Sequence, residues 1–242
     1  MFGGLVQITE SDAYEESSLA YHQLGSIALD QYGDMYRYAQ VGAVALTAGQ
    51  IQQAPTQKTN HHNRAASAAV AVGGTAVTVT LGATAAVANE YAQGYLVAND
   101  VSPEGETYRI IKHPAANASA TLEVTVDRPF KTAITTSSEF TLIHNNWNGV
   151  LVGSAVTIRA AGIPLVDMTI AYYGWLKTRG VTAALIGSAG TLGADLIVSA
   201  ATPGALTDRT DSLGASAEPV VAVADIVLGV TGEYNPVRLV ID

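Results

Sequence analysis

The sequence contains no cysteine. This absence excludes disulfide bonds and cysteine-bound metals, and it is compatible with folding in a reducing cytoplasm. The first residues also lack the basic segment and apolar core of a secretory signal. We therefore expect a protein that is made in a cytoplasm and needs no covalent cross-links.

Charged residues are scarce, and basic residues are the scarcest. Only 14% of the chain is charged, whereas an average soluble protein has roughly 25%. Twelve Lys and Arg face 21 Asp and Glu, which gives a net charge of −9 and predicts no nucleic-acid partner, because a phosphate backbone would be repelled. With 48% hydrophobic residues, much of the surface must be small and uncharged, which favours an assembly that covers part of it.

A convincing membrane-spanning run is also missing. Residues 65–89 carry no charge and are numerous enough to span a bilayer as a helix. However, Gly73 and Gly74 interrupt this run, and Val77 and Val79 alternate with threonines. That alternation is typical of a strand, so we predict no membrane contact.

The chain instead contains short apolar runs separated by glycine, asparagine and proline turns, which is the pattern of an all-β protein. The clearest alternation places Val166, Met168 and Ile170 on one face of a strand that ends at Gly174. Residues 17–29 and the alanine-rich 83–93 leave short helices as an alternative.

The predicted architecture is an extended N-terminal arm followed by two small β-sandwich or β-barrel domains. Residues 1–64 would form the arm, a strand pair and a linker, with the polar, acidic residues 10–23 reaching a neighbouring molecule. Two β-rich domains would then cover residues 65–152 and 153–242.

Glycine and histidine patterns supply two candidate sites, and both favour simpler interpretations. The glycine-rich residues 187–193 resemble a dinucleotide loop, but a strand-like run follows them where a helix is required, so we predict a turn. His61 and His62 are adjacent and would point to opposite faces of a strand, which predicts a solvent-exposed loop pair. His113 and His144 add no metal-ligand spacing. We expect no metal and no cofactor.

The sequence also lacks two common catalytic motifs. The sequence has no Gly-x-Ser-x-Gly elbow and no His-Glu-x-x-His helix. The acidic pairs Glu15–Glu16 and Glu104/Glu106 are better explained as solvated surface charges than as catalytic carboxylates. We therefore predict that the protein is not an enzyme, while a hydrolase with its acids hidden in loops remains an alternative.

Aromatic residues are the best candidates for contact with a partner, since rigid rings bring large contact areas to interfaces. The alternative is that they fill a core that is poor in phenylalanine and leucine. The candidates for an interface are Tyr36, Tyr38, Tyr172, Tyr173 and Trp175.

One stretch of the chain resembles a known family. It combines Gly-apolar-Pro, Val-Asp-apolar-Thr and Tyr-Tyr-Gly-Trp-apolar-Lys-Thr-Arg-Gly segments, carried by Gly162, Ile163, Pro164, Val166, Asp167, Thr169, Tyr172, Tyr173, Gly174, Trp175, Lys177, Thr178, Arg179 and Gly180. This combination of segments resembles tailed-phage virion structural proteins of the capsid decoration or head-associated type. Residues 24–49 and 108–147 resemble the same family, and no catalytic residue is carried over.

The resemblance implies a virion protein on the capsid exterior, made in the host cytoplasm. We expect a decoration (cement) protein that self-associates as a homotrimer, binds the major capsid protein and stabilises contacts between capsid subunits. The alternative is a head fibre or tail protein that binds host surface glycans through exposed aromatic residues. A shallow site that pairs Tyr or Trp with Asp or Asn would favour the alternative.

Overall fold

The computed structural model describes residues 5–154, 159–211 and 218–242, and it confirms the all-β prediction. No α-helix occurs in the described ranges, so residues 17–29 and 83–93 do not form the alternative helices. Three short 3-10 helices are η1 (Ser11–Tyr14), η2 (Thr59–His61) and η3 (Arg209–Asp211). The strands are β1 (Val6–Gln7), β2 (Glu16–Ser17), β3 (Ile27–Leu29), β4 (Met35–Val41), β5 (Gln52–Gln53), β6 (Arg64–Ala65), β7 (Ala76–Thr80), β8 (Tyr95–Asp100), β9 (Thr107–Lys112), β10 (Thr121–Val126), β11 (Glu139–Ile143), β12 (Asn148–Val152), β13 (Ala160–Pro164), β14 (Tyr173–Leu185), β15 (Asp195–Val198), β16 (Leu206–Asp208), β17 (Ala222–Ala224) and β18 (Tyr234–Val240).

The chain divides into two compact units, and their bounds differ from the predicted ones. Unit 1 combines Met1–Pro55 with Asn146–Asp242, and unit 2 is the continuous segment Thr56–Asn145. The difference arises because β4 and β5 pair with β12, β13 and β14, which lie about a hundred residues or more further along the chain. Such distant pairing gives no signal in local sequence patterns, and it groups β12 with unit 1, whereas the predicted boundary groups it with residues 65–152.

Unit 1 contains two barrels that share one strand. The N-terminal barrel closes in the order β4, β12, β5, β13, β14 and back to β4. The C-terminal barrel runs β14, β18, β17, β15, β16, and a bridge between Ile186 and Leu206 closes it. Strand β14 reaches both because it is unusually long, and Gly180 in its middle allows Asp34 to approach closely: a Cβ there would lie 1.8 Å from Asp34 Oδ1.

The predicted extended N-terminal arm is not found in the described residues. Strand β1 pairs with β3, β2 pairs with β14, and Ala13 in η1 is buried. The Glu16 carboxylate accepts hydrogen bonds from the Thr169 N–H at 2.6 Å and from its hydroxyl at 2.8 Å. The sparse apolar residues Ile8 and Ala13 are thus sufficient to anchor a polar segment on its own unit.

Unit 2 is a six-stranded barrel in the order β6, β11, β8, β9, β10, β7, closed by a bridge between Ala66 and Val79. Its interior is one apolar cluster that includes Tyr91, Tyr108 and Phe140. Residues 65–89, the charge-free run, supply β7 and two loops of this barrel, which agrees with their strand-like alternation.

Eight loops of the described chain, here called the bridged loops, meet in pairs through single β-bridges. In each pair the two bridge residues exchange backbone hydrogen bonds, as when Leu46 and Met168 each donate an N–H to the other at 2.9 Å. The pairs are Leu46–Met168, Val70–Ile134, Ala86–Ala116 and Gly190–Leu228. Because each loop satisfies the backbone of its partner, the barrel ends are braced without needing specific side chains.

The bridged loops also share a backbone conformation. In six of them the third residue after the bridge residue has a positive φ; these residues are Gly49, Gly73, Asn89, Ser119, Ala171 and Gly193. Each donates its N–H to a residue just before the partner loop, for example Gly73 to the Phe130 carbonyl at 2.9 Å. Glycine and asparagine suit this left-handed position, whereas alanine is strained there.

The predicted strand through Val166, Met168 and Ile170 is one of these loops. Met168 forms an isolated bridge, and β14 begins at Tyr173 and continues through Gly174. Gly174 therefore does not end a strand. A Cβ at this position would lie 2.6 Å from Met168 Cε, so glycine is required here for close packing rather than for a turn.

Candidate binding surfaces

Three of the five aromatic interface candidates come together in unit 1. Tyr38 on β4 stacks on Tyr173 of β14, with ring centroids 6.1 Å apart and planes 11° apart. Trp175 lies edge-on to Tyr38 at 5.0 Å, and His22 contacts both rings at 5.1 Å. The register explains the meeting, because Trp175 is directly opposite Tyr38 in the β4–β14 ladder.

These rings form the inner wall of a groove of about 350 Å³, here called the aromatic groove. Tyr38 and Trp175 are almost completely buried, so most of their surface packs within unit 1. Tyr21 is different, since it lines the same groove with 70% of its surface exposed. Of this set, Tyr21 is the ring that a partner could reach most easily, and sequence analysis did not select it.

The fourth candidate, Tyr36, belongs to a separate cleft of about 450 Å³ that we call the tyrosine cleft. Tyr36 forms part of its floor and is buried, while three other tyrosines stand at its walls with much of their surface in solvent. The wall residues are Tyr14, 51% exposed, Tyr32, 71% exposed, and Tyr234, 48% exposed. The fifth candidate, Tyr172, lies in neither cavity but precedes β14 in a bridged loop.

A turn built on Asp30 shapes one side of the tyrosine cleft. Asp30 Oδ1 accepts hydrogen bonds from the N–H groups of Tyr32 at 2.9 Å and of Asp34 at 3.0 Å. The Tyr36 hydroxyl donates to Asp30 Oδ2 at 3.2 Å. Burial, together with the charge of Asp30, raises the pKa of Tyr36 well above its ordinary value. Tyr36 therefore remains a proton donor, and Asp30 is committed to holding this turn.

The floor of the tyrosine cleft holds a nearly buried ion pair. Lys177 Nζ donates to the Asp34 carboxylate and, at 2.7 Å, to the Val181 carbonyl. On the opposite wall the Tyr234 ring lies against Gly49, where a Cβ would be only 2.6 Å from Tyr234 Cε1. Gly49 also has a positive φ, which glycine adopts readily. The same glycine therefore allows the loop conformation and leaves room for the Tyr234 ring.

Exposed aliphatic side chains concentrate on the bridged loops. The residue two positions after the bridge residue is a large exposed aliphatic in four of them, namely Val72, Ile170, Leu192 and Val230. In the C-terminal barrel the Gly190–Leu228 bridge holds two such loops side by side. Their exposed residues Leu192, Ile226, Val227 and Val230 are here called the aliphatic patch.

Unit 2 contains a buried cluster of three histidines around Tyr91. The Tyr91 hydroxyl donates to His61 Nδ1, and its backbone N–H donates to His113 Nε2 at 2.9 Å. The remaining nitrogens of these rings, His61 Nε2 and His113 Nδ1, donate to the carbonyls of Thr84 and Pro114, both at 2.8 Å. The prediction of a solvent-exposed histidine pair is thus wrong for His61, because the short helix η2 turns its ring inward.

These contacts are compatible with the neutral form of two of the histidines, and burial favours it. Each ring has one nitrogen that accepts and one that donates, which is the pattern of a neutral imidazole. Burial is the main cause that lowers the pKa of His61 and of His113. Nearby, burial alone would raise the pKa of Glu90, but hydrogen bonds from His144 and Lys58 bring it down to about 2.

Further observations limit the chemistry of the described chain. Among residues 5–154, 159–211 and 218–242, no three histidine, aspartate or glutamate side chains are grouped so as to hold a metal ion. No helix within those ranges has the length and apolar character needed to cross a membrane. The glycine-rich residues 187–193 form a loop between β14 and β15, as predicted.

Comparisons of this chain with protein-family models, with curated proteins and with solved structures found no match. Inference about function therefore depends on the residues themselves. Sequence analysis missed Tyr14, Tyr32 and Tyr234, the walls of the tyrosine cleft. Their only local signal was an acidic turn around Tyr32, since the three lie far apart in the chain and meet through long-range strand pairing.

Proposed function

We propose that this protein is a non-enzymatic phage capsid decoration protein, located on the virion exterior, which binds the major capsid protein. The aliphatic patch is the observation that carries this proposal. Leu192 and Val227 are 66% and 68% exposed on loops that the barrel holds rigidly. Several exposed apolar residues on two loops that are bridged to each other, in a protein this poor in charge, are typical of a surface that a partner covers.

The mechanism is the burial of surface across capsid subunit boundaries. Each decoration protein that spans a boundary adds contacts that must be broken before the subunits separate. The bridged loops suit this role, because the backbone hydrogen bonds across each bridge hold the two loops together and reduce the conformational entropy that binding must remove. The resemblance of residues 162–180 to virion structural proteins supports the same proposal.

Co-sedimentation with capsids that lack the protein tests the proposal. The wild-type chain should bind saturably, and Leu192→Lys with Val227→Lys should weaken binding at least about tenfold, since each places a charge in a contact that excludes water. Ile111→Lys is the matched control, because Ile111 is a similarly exposed aliphatic residue on β9 of unit 2. Absence of saturable wild-type binding, or equal losses in the patch variants and the control, would reject the proposal.

We further propose that the protein self-associates as a homotrimer. Light scattering should then give a mass three times that of the 25.0 kDa chain. A monomeric mass at the concentrations used for capsid binding would reject the trimer without affecting the capsid test.

A further inference from the structure

The tyrosine cleft has the features of a small-ligand site that capsid binding does not require. Its volume of about 450 Å³ falls within the range of ligand pockets and suits one or two sugar rings. Three tyrosine rings with large exposed areas surround it, whereas other tyrosines of the chain are buried in a core. Rigid aromatic faces with a polar edge suit ligands that present both an apolar C–H face and hydroxyl groups.

The polar groups of the cleft complement a ring of hydroxyls. The hydroxyls of Tyr14, Tyr32 and Tyr234 make no hydrogen bond within the described residues, so each can donate to and accept from a ligand. Lys177 donates to Asp34 and to the Val181 carbonyl, which leaves the third proton of its ammonium. The exposed Glu10 carboxylate at the rim adds an acceptor.

The charge balance of the cleft selects among such ligands. Glu10, Asp30 and Asp34 are acidic and Lys177 is basic, so the lining carries an excess of negative charge. A carboxylate or sulfate on a sugar would be repelled, because like charges in a partly dehydrated site disfavour one another. An uncharged pyranose meets no such penalty.

The cleft is also formed before any ligand arrives. Asp30 holds the turn that carries Tyr32, and the Tyr234 ring is seated against Gly49. Asp34 is fixed twice, by its N–H to Asp30 and by its ion pair with Lys177. Preformed walls reduce the entropy that binding must overcome, which matters most for weak ligands such as monosaccharides.

We infer that the tyrosine cleft of unit 1 binds an uncharged pyranose, with Tyr14, Tyr32 and Tyr234 stacking on the sugar and Lys177 with Glu10 hydrogen bonding to its hydroxyls. The inference is independent of capsid binding, which the aliphatic patch would mediate. A decoration protein with this site would contact saccharides on a cell surface while it is attached to the virion.

Saturation-transfer NMR with the purified full chain tests this inference. The probes are the methyl glycosides of glucose, galactose, mannose and N-acetylglucosamine, and glucuronic acid serves as the anionic counterpart. At least one neutral glycoside should bind and glucuronic acid should not. Tyr32→Ala should weaken binding by at least about tenfold, since it removes the most exposed wall.

Tyr21→Ala is the matched control, because Tyr21 is as exposed as Tyr32 and lies in the aromatic groove instead. It should leave glycoside binding unchanged. Binding of no neutral glycoside, stronger binding of glucuronic acid, or loss of binding in Tyr21→Ala but not in Tyr32→Ala would each overturn the inference. Capsid co-sedimentation of Tyr32→Ala should equal wild type, so failure of the saccharide site and failure of the decoration function can be told apart.

Discussion

In unit 2, Tyr91 and Tyr108 are buried within the barrel, whereas in unit 1 Tyr14, Tyr32 and Tyr234 stand largely in solvent around a cleft. Tyrosine therefore supplies core residues in unit 2, whereas in unit 1 it supplies both buried rings, such as Tyr36 and Tyr38, and the exposed rings of a cleft. The interiors of the barrels also differ. That of unit 2 includes the rings of Tyr91, Tyr108, Phe130 and Phe140 among aliphatic side chains, while the C-terminal barrel of unit 1 is filled by aliphatic residues.

The comparison indicates a division of roles. Unit 2 has the features of a scaffold, since its rings and its buried histidines are satisfied internally. Unit 1 has the tyrosine cleft and the aliphatic patch, and both lie on elements that the barrels hold in place. Substitutions at the buried aromatic positions of unit 2 should therefore affect stability, and substitutions at the exposed tyrosines of the cleft in unit 1 should affect binding.

The largest expected effect is the loss of a core ring in unit 2. Phe140 is completely buried in the barrel, so Phe140→Ala should lower the free energy of unfolding of unit 2 by about 3–5 kcal/mol. Tyr32→Ala, at an exposed position in unit 1, should change stability by less than about 0.5 kcal/mol.

The distribution of tryptophan separates the two units in this experiment. Trp147 and Trp175 both belong to unit 1, so tryptophan fluorescence during urea unfolding follows that unit. Amide hydrogen exchange of residues 121–126 follows unit 2. Equal stability losses from the Phe140 and Tyr32 variants would contradict the division between buried and exposed aromatic positions.

Mild acid should lower the stability of unit 2 more than that of unit 1. This effect should be smaller than that of the core substitution. His61 and His113 have lowered pKa values, so below pH 6.5 the unfolded chain binds protons that folded unit 2 resists. The two neutral histidines therefore make their full contribution to the stability of unit 2 above pH 6.5, and this contribution is lost as the pH drops from 6.5 through the lowered pKa values. In unit 1 the lowered pKa values belong to Asp12 and Asp242, whose ordinary value is 3.8, so its loss begins only near that pH.

Hydrogen exchange of unit 2 and tryptophan fluorescence of unit 1, measured between pH 7.5 and pH 4.5 by unfolding in urea, check this expectation. His113→Asn should make unit 2 less stable at pH 7.5, because Tyr91 N–H loses its acceptor, and should make the decline with acid shallower. His22→Gln in unit 1 is the control, and it should leave the acid-induced loss of unit 2 stability unchanged. A steeper decline in unit 1 than in unit 2 would refute the assignment.

The fold class and many strands could be predicted because they depend on local alternation. Strand β7 (Ala76–Thr80) forms where Val77 and Val79 alternate with threonines, which is an entirely local signal. The domain bounds and the tyrosine cleft could not be predicted, because both depend on strands that pair across more than a hundred residues. His61 was misjudged for a related reason: its partner Tyr91 is thirty residues away.

The bridged loops give the finest test of the comparison, because the same left-handed position is occupied by Ala171 in one loop of unit 1 and by Gly73 in one loop of unit 2. Ala171 has φ 65° and Gly73 has φ 91°, and a Cβ at Gly73 would meet no atom within 4 Å. Ala171→Gly relieves the strain of a left-handed alanine, partly offset by the greater freedom of glycine in the unfolded chain, and should stabilise unit 1 by about 0.5–1 kcal/mol.

Gly73→Ala should destabilise unit 2 by a similar amount, because open space around the new Cβ leaves backbone strain as the only cost. Opposite shifts of the urea midpoints, read by tryptophan fluorescence for unit 1 and hydrogen exchange for unit 2, would confirm that backbone conformation governs this position in both units. Shifts of the same sign would mean that side-chain contacts govern it instead. In that case the loops would be similar in shape without being interchangeable in energy, and the bracing of the barrel ends would depend on sequence after all.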